Sequence, residues 1–594
     1  MQSVSQSWKE CQNKTLVNEG YVEIHFRITD PDAYMDATAT DSGHAVISNT
    51  NHIVSNVDKN IHPYATLERN QWLLDGSREI IPDSNIGEVG FVGNGMCDSS
   101  GAFSARPIIT INFSKLHTNL LQGITIKWSE YLEEYATKFT ITAYNGATVV
   151  ATKTVSDNTS IMSPVEVDIA GYNKINIEIL EWSIGYRRAR IDEVFIGINK
   201  IYNKKNLFSF KSSQTVDPIS AELPKSEMSF SIDNVDGSYN PLNTQGLSKY
   251  LIERQSLTVK YGYKLDNGRI EWIKGGSFYL SEWDAEQNGL TAEFTARDLL
   301  EFMTDTYYYG IYNPNGTSLY DLALNVLQDA NLPLNEDGTV KWVIDEKLKN
   351  IYTIAPLPVD THANCLQMIA NAGECVIYPD RSGTLHIISR SYVTTDYSIS
   401  KFNSYTKPDL SLSKPLKQVE VPCYSYSKAD QSSELYNGTM VINGTTEVIV
   451  KYSSPSVNVI ASVSGGTLNS ATYYTNVCVL KITAQGNVTI KVTGYQLKTS
   501  SVTTSINYAL EGETVSVNNL LITGQDRALA VGRWVGDYMK NRIMLKSSWR
   551  SDPRLDALDV VNSENDYSTD EVLITEVSYE YKGGFKGTSE GRVI

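Results

Sequence analysis

Phe278–Asp298 reads FYLSEWDAEQNGLTAEFTARD, and Val572–Arg592 reads VLITEVSYEYKGGFKGTSEGR. Each alternates apolar and polar residues, breaks at a glycine turn, resumes the alternation and ends on arginine, which is the pattern of a β-hairpin. In the first, Leu280-Ser281-Glu282-Trp283 leads to Arg297, 17 residues after Leu280; in the second, Ile574-Thr575-Glu576-Val577 leads to Arg592, 18 residues after Ile574. Two readings are open. Hairpins share turn chemistry and so look alike, or the chain carries two related barrels whose common hairpin has left this echo.

The totals fit a protein made mainly of such units. At 594 residues the chain exceeds any single core, and at about 100 to 200 residues per domain it holds three to five. Its 36 Tyr and 39 Gly, with abundant Thr, Val and Ser, suit pleated half-exposed surfaces and their turns, so the expected class is mainly β and multidomain. A formal charge of −17 repels a phosphate backbone, which argues against stable nucleic-acid binding. The start, MQSVSQSWKECQNK, has no apolar core of a signal peptide, and no run of 18 apolar residues occurs, so synthesis and folding in the cytoplasm are expected. Cys11, Cys97, Cys365, Cys375, Cys423 and Cys478 are scattered without CxxC spacing, the pattern of reduced, mostly buried thiols.

Outward from the hairpins the chain divides into blocks. Residues 1–205 carry seven strand-like runs, PIITINF, GITIKWS, KFTITAY, TVVATKTV, PVEVDIA, KINIEIL and IDEVFIG, the spacing of an antiparallel sandwich. After the polar joint Asn203–Asn206 a first barrel is expected over 206–315. The period changes in 316–395: Leu319, Leu322, Ala323, Val326 and Leu327 form a helical stripe behind Ser318 and Asp321. Ala363, Leu366, Ile369 and Ala370 form another that ends at Gly373, and the strand pair CVIYPDRSGTLHIIS follows. This is a small helix-containing α/β element. A second barrel is expected from 396–432 with 516–594, interrupted by an inserted β domain at 433–515, where Thr, Ser, Val, Asn and Gly dominate. One further helical stripe, Ala528, Val531, Val535, Tyr538 and Met539, lies after it.

Catalytic motifs are missing from this pattern. None of the seven histidines lies in HExxH or HxH, and there is no GxSxG, Walker or HRD sequence, so zinc, nucleophilic and phosphoryl chemistry lack a starting residue. A glycosidase needs two carboxylates about 5 to 9.5 Å apart. Glu130, Glu133, Glu134, Glu181 and Asp192 offer the residue type, although carboxylates in KWSEYLEEY read better as the solvated face of a loop. GNGMCDSSG at 93–101 leads into no helix and reads as a loop. Sugar binding needs flat aromatic faces and planar polar groups. Trp128, Tyr131, Tyr135, Trp182, Tyr186, Arg187 and Arg188 supply them; the two tryptophans read first as core, and Tyr186 with Arg187 and Arg188, in SIGYRRAR, reads as the exposed contact.

Two resemblances extend these readings. The run order of 1–205, with the preceding LLDGSREIIPD, resembles the galactose-binding-like jelly roll of discoidin and carbohydrate-binding modules. Such domains often hold a structural Ca²⁺ near a first DG turn and a late Glu, positions matched here by Asp75 and Glu193, both oxygen ligands as calcium requires. No other cofactor is expected. SIDNVDGSYNPLN and LTVKYGYKLDNGRIEWIKGGSFYLSEWDAEQNGLTAEFTARDLLEFM, then NCLQMIANAGECVIYPDRSGTLHI, WRSDPRLDALDVV and VLITEVSYEYKGGFKGTSEGR, resemble in that order the baseplate-hub and tail-associated proteins of tailed phages and phage-tail-like particles of Gram-positive hosts. The resemblance implies a non-enzymatic virion structural protein at the tail tip. It implies two barrels per chain and a homotrimeric ring with six barrel positions that meets the tail tube. Its partners would be the tube, distal tail or baseplate proteins and the tape-measure protein, with a host cell-wall glycan before the sandwich and DNA only as passing cargo. An adhesin mounted on a hub-like half and a cell-wall glycoside hydrolase are the alternatives.

Overall fold

A computed structural model describes residues 1–14, 17–54, 66, 68, 90–243, 246–285, 289–333, 339–550 and 552–594. The chain is mainly β and multidomain, as its composition requires. Each of the seven runs is a strand. Thr38–Asp41, Ile108–His117, Tyr172–Trp182, Ala136–Asn145 and Thr148–Val155 form one antiparallel sheet in that order, and Glu193–Phe195, Leu121–Lys127 and Met162–Ile169 form a second. Alternate residues of both, among them Ile109, Ile111, Ile124, Ile126, Phe139, Ile141, Ile175 and Ile177, fill one core. GNGMCDSSG departs from its expected loop: strand Phe91–Met96 runs through its first half, because Gly93 sits beside Arg188–Ile191 in a two-stranded pairing.

Among the described residues the remaining β structure is organised by one thirteen-stranded sheet rather than two detached barrels. Its first unit has β1 (Leu207–Thr215), β2 (Lys225–Asp233), β3 (Ser256–Lys264), β4 (Ile270–Asp284) and β5 (Thr291–Arg297). They lie side by side as β3-β4-β5-β2-β1. The sheet curls so that its outer members meet inside, Tyr261 of β3 bonding Ser212 of β1 at 2.9 Å. The second unit has β6 (Asp409–Leu412), with β7 (Leu416–Lys451) and β8 (Val477–Asn507) inserted after it, then β9 (Ile543–Trp549), β10 (Val560–Glu564), β11 (Thr569–Tyr581) and β12 (Phe585–Val593). Its order is β10-β11-β12-β9-β6. With the insertion set aside, both units therefore place their third, fourth, fifth, second and first strands in the same sequence. β1 and β11 pair antiparallel and join the units, and one hydrophobic core spans both.

Residues 1–14 and 17–29, counted with the sandwich from sequence, belong with this large sheet. Helix α1 (Gln6–Gln12) drops Trp8 into the core shared by the two units, its indole N–H 3.3 Å from Asp552 Oδ1. Gly20–Thr29 pairs with β3 on one side and with Gly197–Tyr202 on the other. Gly20 is required there because a Cβ would stand 2.6 Å from the Phe585 ring. The sandwich is thus an excursion between two strands of the large sheet, Gly20–Thr29 and Gly197–Tyr202.

Between the units, helices α2 (Leu319–Asp329) and α3 (His362–Ala372) bury the stripes read from sequence. Ser318 caps α2, its hydroxyl accepting the Asp321 N–H at 3.0 Å. α3 ends at Gly373, where a Cβ would strike Leu348, although the left-handed turn itself falls on Glu374. The third helix, α4 (Gln525–Met539), buries Ala528, Val531 and Val535 in the same core together with Val419 and Val421 of β7. The texture change at 433 falls inside β7. The insertion is a continuous β7–β8 ribbon whose far end folds back with Ser456–Ser464 and Thr467–Tyr473 around Leu480, Ile482, Val488 and Ile490.

Candidate functional sites

Three loops meet at one end of the sandwich. Tyr186 N–H donates to the Asp98 carbonyl (3.1 Å), Cys97 N–H to Arg187 (2.9 Å) and Ser183 N–H to Tyr135 (2.9 Å), which brings 97–103, 129–135 and 183–188 together. At their base is a buried cluster. Glu134, 1% exposed, accepts Arg187 Nε at 2.7 Å on one oxygen and Trp182 Nε1 at 2.9 Å on the other. Trp128 stacks edge-on against Phe139 and Trp182 and donates to Ser163 Oγ at 2.8 Å.

This geometry sorts the candidate sugar contacts. Trp128 and Trp182 are core, and Trp128 presents no face to a ligand. Arg187, expected as an exposed contact, is instead 7% exposed and committed to Glu134, the kind of pairing that a guanidinium taken out of water requires. Arg188 donates its backbone N–H to Glu68 at 2.9 Å and its guanidinium to the Gly93 carbonyl at 3.0 Å, so it ties loops together. Tyr131 and Tyr186 are exposed and Tyr135 is half-buried. Tyr186 adopts a left-handed φ of 60° that throws its ring outward from the turn.

The carboxylates divide the same way. Glu130 is exposed and paired with Lys127 at 2.6 Å, and Glu181 is paired with Lys138 at 3.5 Å, as for solvated faces. Glu134 overturns that reading for its own position. Sequence reasoning missed it, but the alternation in Arg187, Ala189, Ile191 was a usable signal, since it puts Arg187 on the inward face and demands a buried carboxylate. Asp192 is buried against Lys127, and burial pushes its carboxyl up to about 7. Glu68 is also buried, but hydrogen bonds from Arg190 and Arg188 outweigh that burial and hold it low. Of the expected calcium pair, Asp75 lies outside the described residues and Glu193 is fully buried. Among the described residues no group of three His, Cys, Asp or Glu could hold a metal, and none of the described helices is long and apolar enough to cross a membrane.

The second site is the pair of hairpins. In β4–β5, Tyr279 faces Arg297, Leu280 faces Ala296, and Glu282 faces Thr295, with Ser281 as an extra residue. In β11–β12, Leu573 faces Arg592, Ile574 faces Gly591, and Glu576 faces Glu590, with Thr575 extra. The bulge falls at the same step in both. The strand before each hairpin is entered alike: Arg254 and Leu558 are left-handed (φ 68° and 70°) and donate to Leu280 and Ile574 at 2.8 and 2.7 Å. Bulges and non-glycine left-handed residues are local costs that a fold keeps for a geometric reason. Their coincidence at matched positions selects duplication over chance likeness of hairpins.

No protein-family profile matches the chain, and no curated protein matches it. Solved structures that it resembles include the 43 kDa tail protein of prophage MuSo2 from Shewanella oneidensis (11% identity, 66% of this chain and 95% of that one, TM-score 0.38). Others are the tail protein from Neisseria meningitidis MC58 (11%, 66% and 93%, TM-score 0.37) and prophage tail protein gp18 from Listeria monocytogenes EGD-e (10%, 66% and 91%, TM-score 0.35). Likeness this distant leaves the assignment to the chain's own geometry.

Proposed function

We propose that the chain is a structural, non-enzymatic subunit of the tail tip or baseplate hub of a phage or phage-like particle. In this reading three copies close a ring of six barrel-like positions on the end of the tail tube, next to distal tail and tape-measure proteins. The observation that carries it is the duplication: two units of one strand order, one bulge position and one left-handed entry, laid edge to edge in a single sheet. A duplicated unit lets three chains meet a six-fold tube with near-equivalent contacts at every position. The sandwich, hung from strands 29 and 197, would face the host surface. Its glycan contacts narrow to Tyr131, Tyr135 and Tyr186, with Glu193 and Asp75 as the calcium pair. A net charge of −17 suits a lumen that lets DNA pass without capturing phosphates. Mass photometry and electron microscopy of the purified protein test the ring: trimers of the 66.1 kDa chain with three-fold density are expected, and monomers alone at high concentration overturn it. Loss of glycan-array binding in a Tyr131→Ala/Tyr186→Ala variant tests the sandwich, and no binding by the unmodified chain overturns that part.

A further inference from the structure

We propose that β6 of one chain adds antiparallel to the open edge of β4 in the next copy, repeating between chains the β1–β11 pairing that joins the two units within a chain; the inference rests on the ring reading above. The register follows from matched pairings. Ser213 faces Glu227, which faces Arg297; Ser411 faces Met544, which faces Arg592. Ser411 therefore holds the place of Ser213. Asp284 and Ser578 each lie five residues beyond the partner of their arginine, Tyr279 or Leu573, with one bulge residue between. Since Ser213 faces Ser578, Gln214 faces Val577 and Thr215 faces Glu576 inside the chain, Ser411 should face Asp284 of the neighbour. Leu412 should then face Trp283, Ser413 Glu282, and Leu410 Ala285.

Both edges are prepared for this. Ser413 N–H donates to the Arg542 carbonyl at 2.9 Å, so alternation turns the backbone groups of Ser411 and Asp409 toward β9 and those of Leu410 and Leu412 away from it. All four residues of β6 are exposed, Leu410 by 55% and Leu412 by 64%. Bare edges are ordinarily short, charged or covered, and two leucines on one argue for a partner. On β4, pairing with the β3 side stops at Leu280, whose N–H and C=O meet Gln255 and Arg254 at 2.8 Å each. In the second unit the equivalent strand continues: Thr575 accepts the Val216 N–H at 2.9 Å, and β1 pairs along Glu576–Tyr581. Ser281 to Ala285 is the same edge in the first unit. The seam joins unlike surfaces, head to tail, so copies add until their rotation closes a ring.

Ser411 and Asp284 would form a non-hydrogen-bonded pair with Cα atoms about 4.5 Å apart, within disulfide reach. The full chain carrying Cys423→Ser, Ser411→Cys and Asp284→Cys, oxidised and run without reductant, should give covalent dimers and trimers and nothing larger. Ser411→Cys with Ala285→Cys places the thiols on opposite faces and should not link. Leu412→Pro removes one outward N–H and no backbone hydrogen bond to β9. It should keep the circular dichroism and melting of the unmodified chain while raising the concentration needed for trimer about tenfold or more. A trimer in which the first pair fails to link and Leu412→Pro assembles normally overturns the seam and leaves the ring standing. A chain that is monomeric at every concentration overturns both.

Discussion

In the first unit β1 is hydrogen-bonded on both edges, to β2 and to β11; in the second, the corresponding β6 is bonded, among the described residues, only to β9. The two hairpin arginines differ in the same sense. Arg297 is 45% exposed among Glu227, Glu282 and Glu301, at 3.5 to 3.7 Å. Arg592 is 7% exposed, lies over the Tyr538 ring at 4.7 Å and donates to the carbonyls of Met539 and Asn541 at the end of α4. One backbone plan thus serves two surroundings: backbone pairing and bulges are kept, while side chains follow whatever packs outside. The second unit's arginine is structural because the end of α4 rests on it.

The comparison breaks first at the arginines. Arg592→Ala leaves helix-end carbonyls without their cation and should cost about 3 kcal/mol, whereas Arg297→Ala removes half-exposed ion pairs and should cost less than about 1 kcal/mol. Urea unfolding of the two variants reads the difference, and equal losses would refute the contrast. Next come the left-handed entries. Leu558 is 1% exposed, so Leu558→Gly relieves φ but empties a core site, a net loss of about 2 kcal/mol. Arg254→Gly gives the same relief and gives up a bond to the Glu301 carbonyl and a contact with the Phe302 ring, so its change should stay within about 1 kcal/mol. A further difference between the hairpins is the pH dependence that Asp298 adds to the first. Asp298 follows Arg297 where Val593 follows Arg592. Burial pushes its carboxyl up to about 6, although it accepts N–H groups from Leu300 and Ser226 at 2.9 and 3.0 Å. Its folded state therefore holds a proton that the unfolded chain has released, so stability is full below about pH 4 and falls as pH rises through 6. Asp298→Asn should flatten that slope in thermal melts between pH 4 and 7, and an unchanged slope assigns it elsewhere.

Much of this was legible because the signals were local. The helical stripes, the seven sandwich strands and the echoed hairpins each lie within some twenty residues, where period and turn chemistry act. What was hidden depends on contacts between distant segments. Nothing in QSWKECQ says that Trp8 belongs beside Asp552, and nothing in LFSFKSSQT selects β11 as a partner. Glu130 and Glu134 are four residues apart in one acidic loop, and only Trp182 and Arg187 decide that the second is interior.

The ribbon starts and ends at Gln418 and Asn507, which face each other across one pair of strands. Whatever lies beyond that doorway can lengthen, shorten or be exchanged without moving the two ends apart, and the cost of closing the chain rises only slowly with its length. Its counterpart in the first unit is the short turn between β1 and β2, from 216 to 224. The two units therefore offer unequal insertion points: the loop at 216–224 is packed on α3, where the Ile219 carbonyl accepts the Asn371 side-chain N–H at 2.9 Å, whereas the far end of the ribbon could exchange its hairpin and leave the shared sheet untouched.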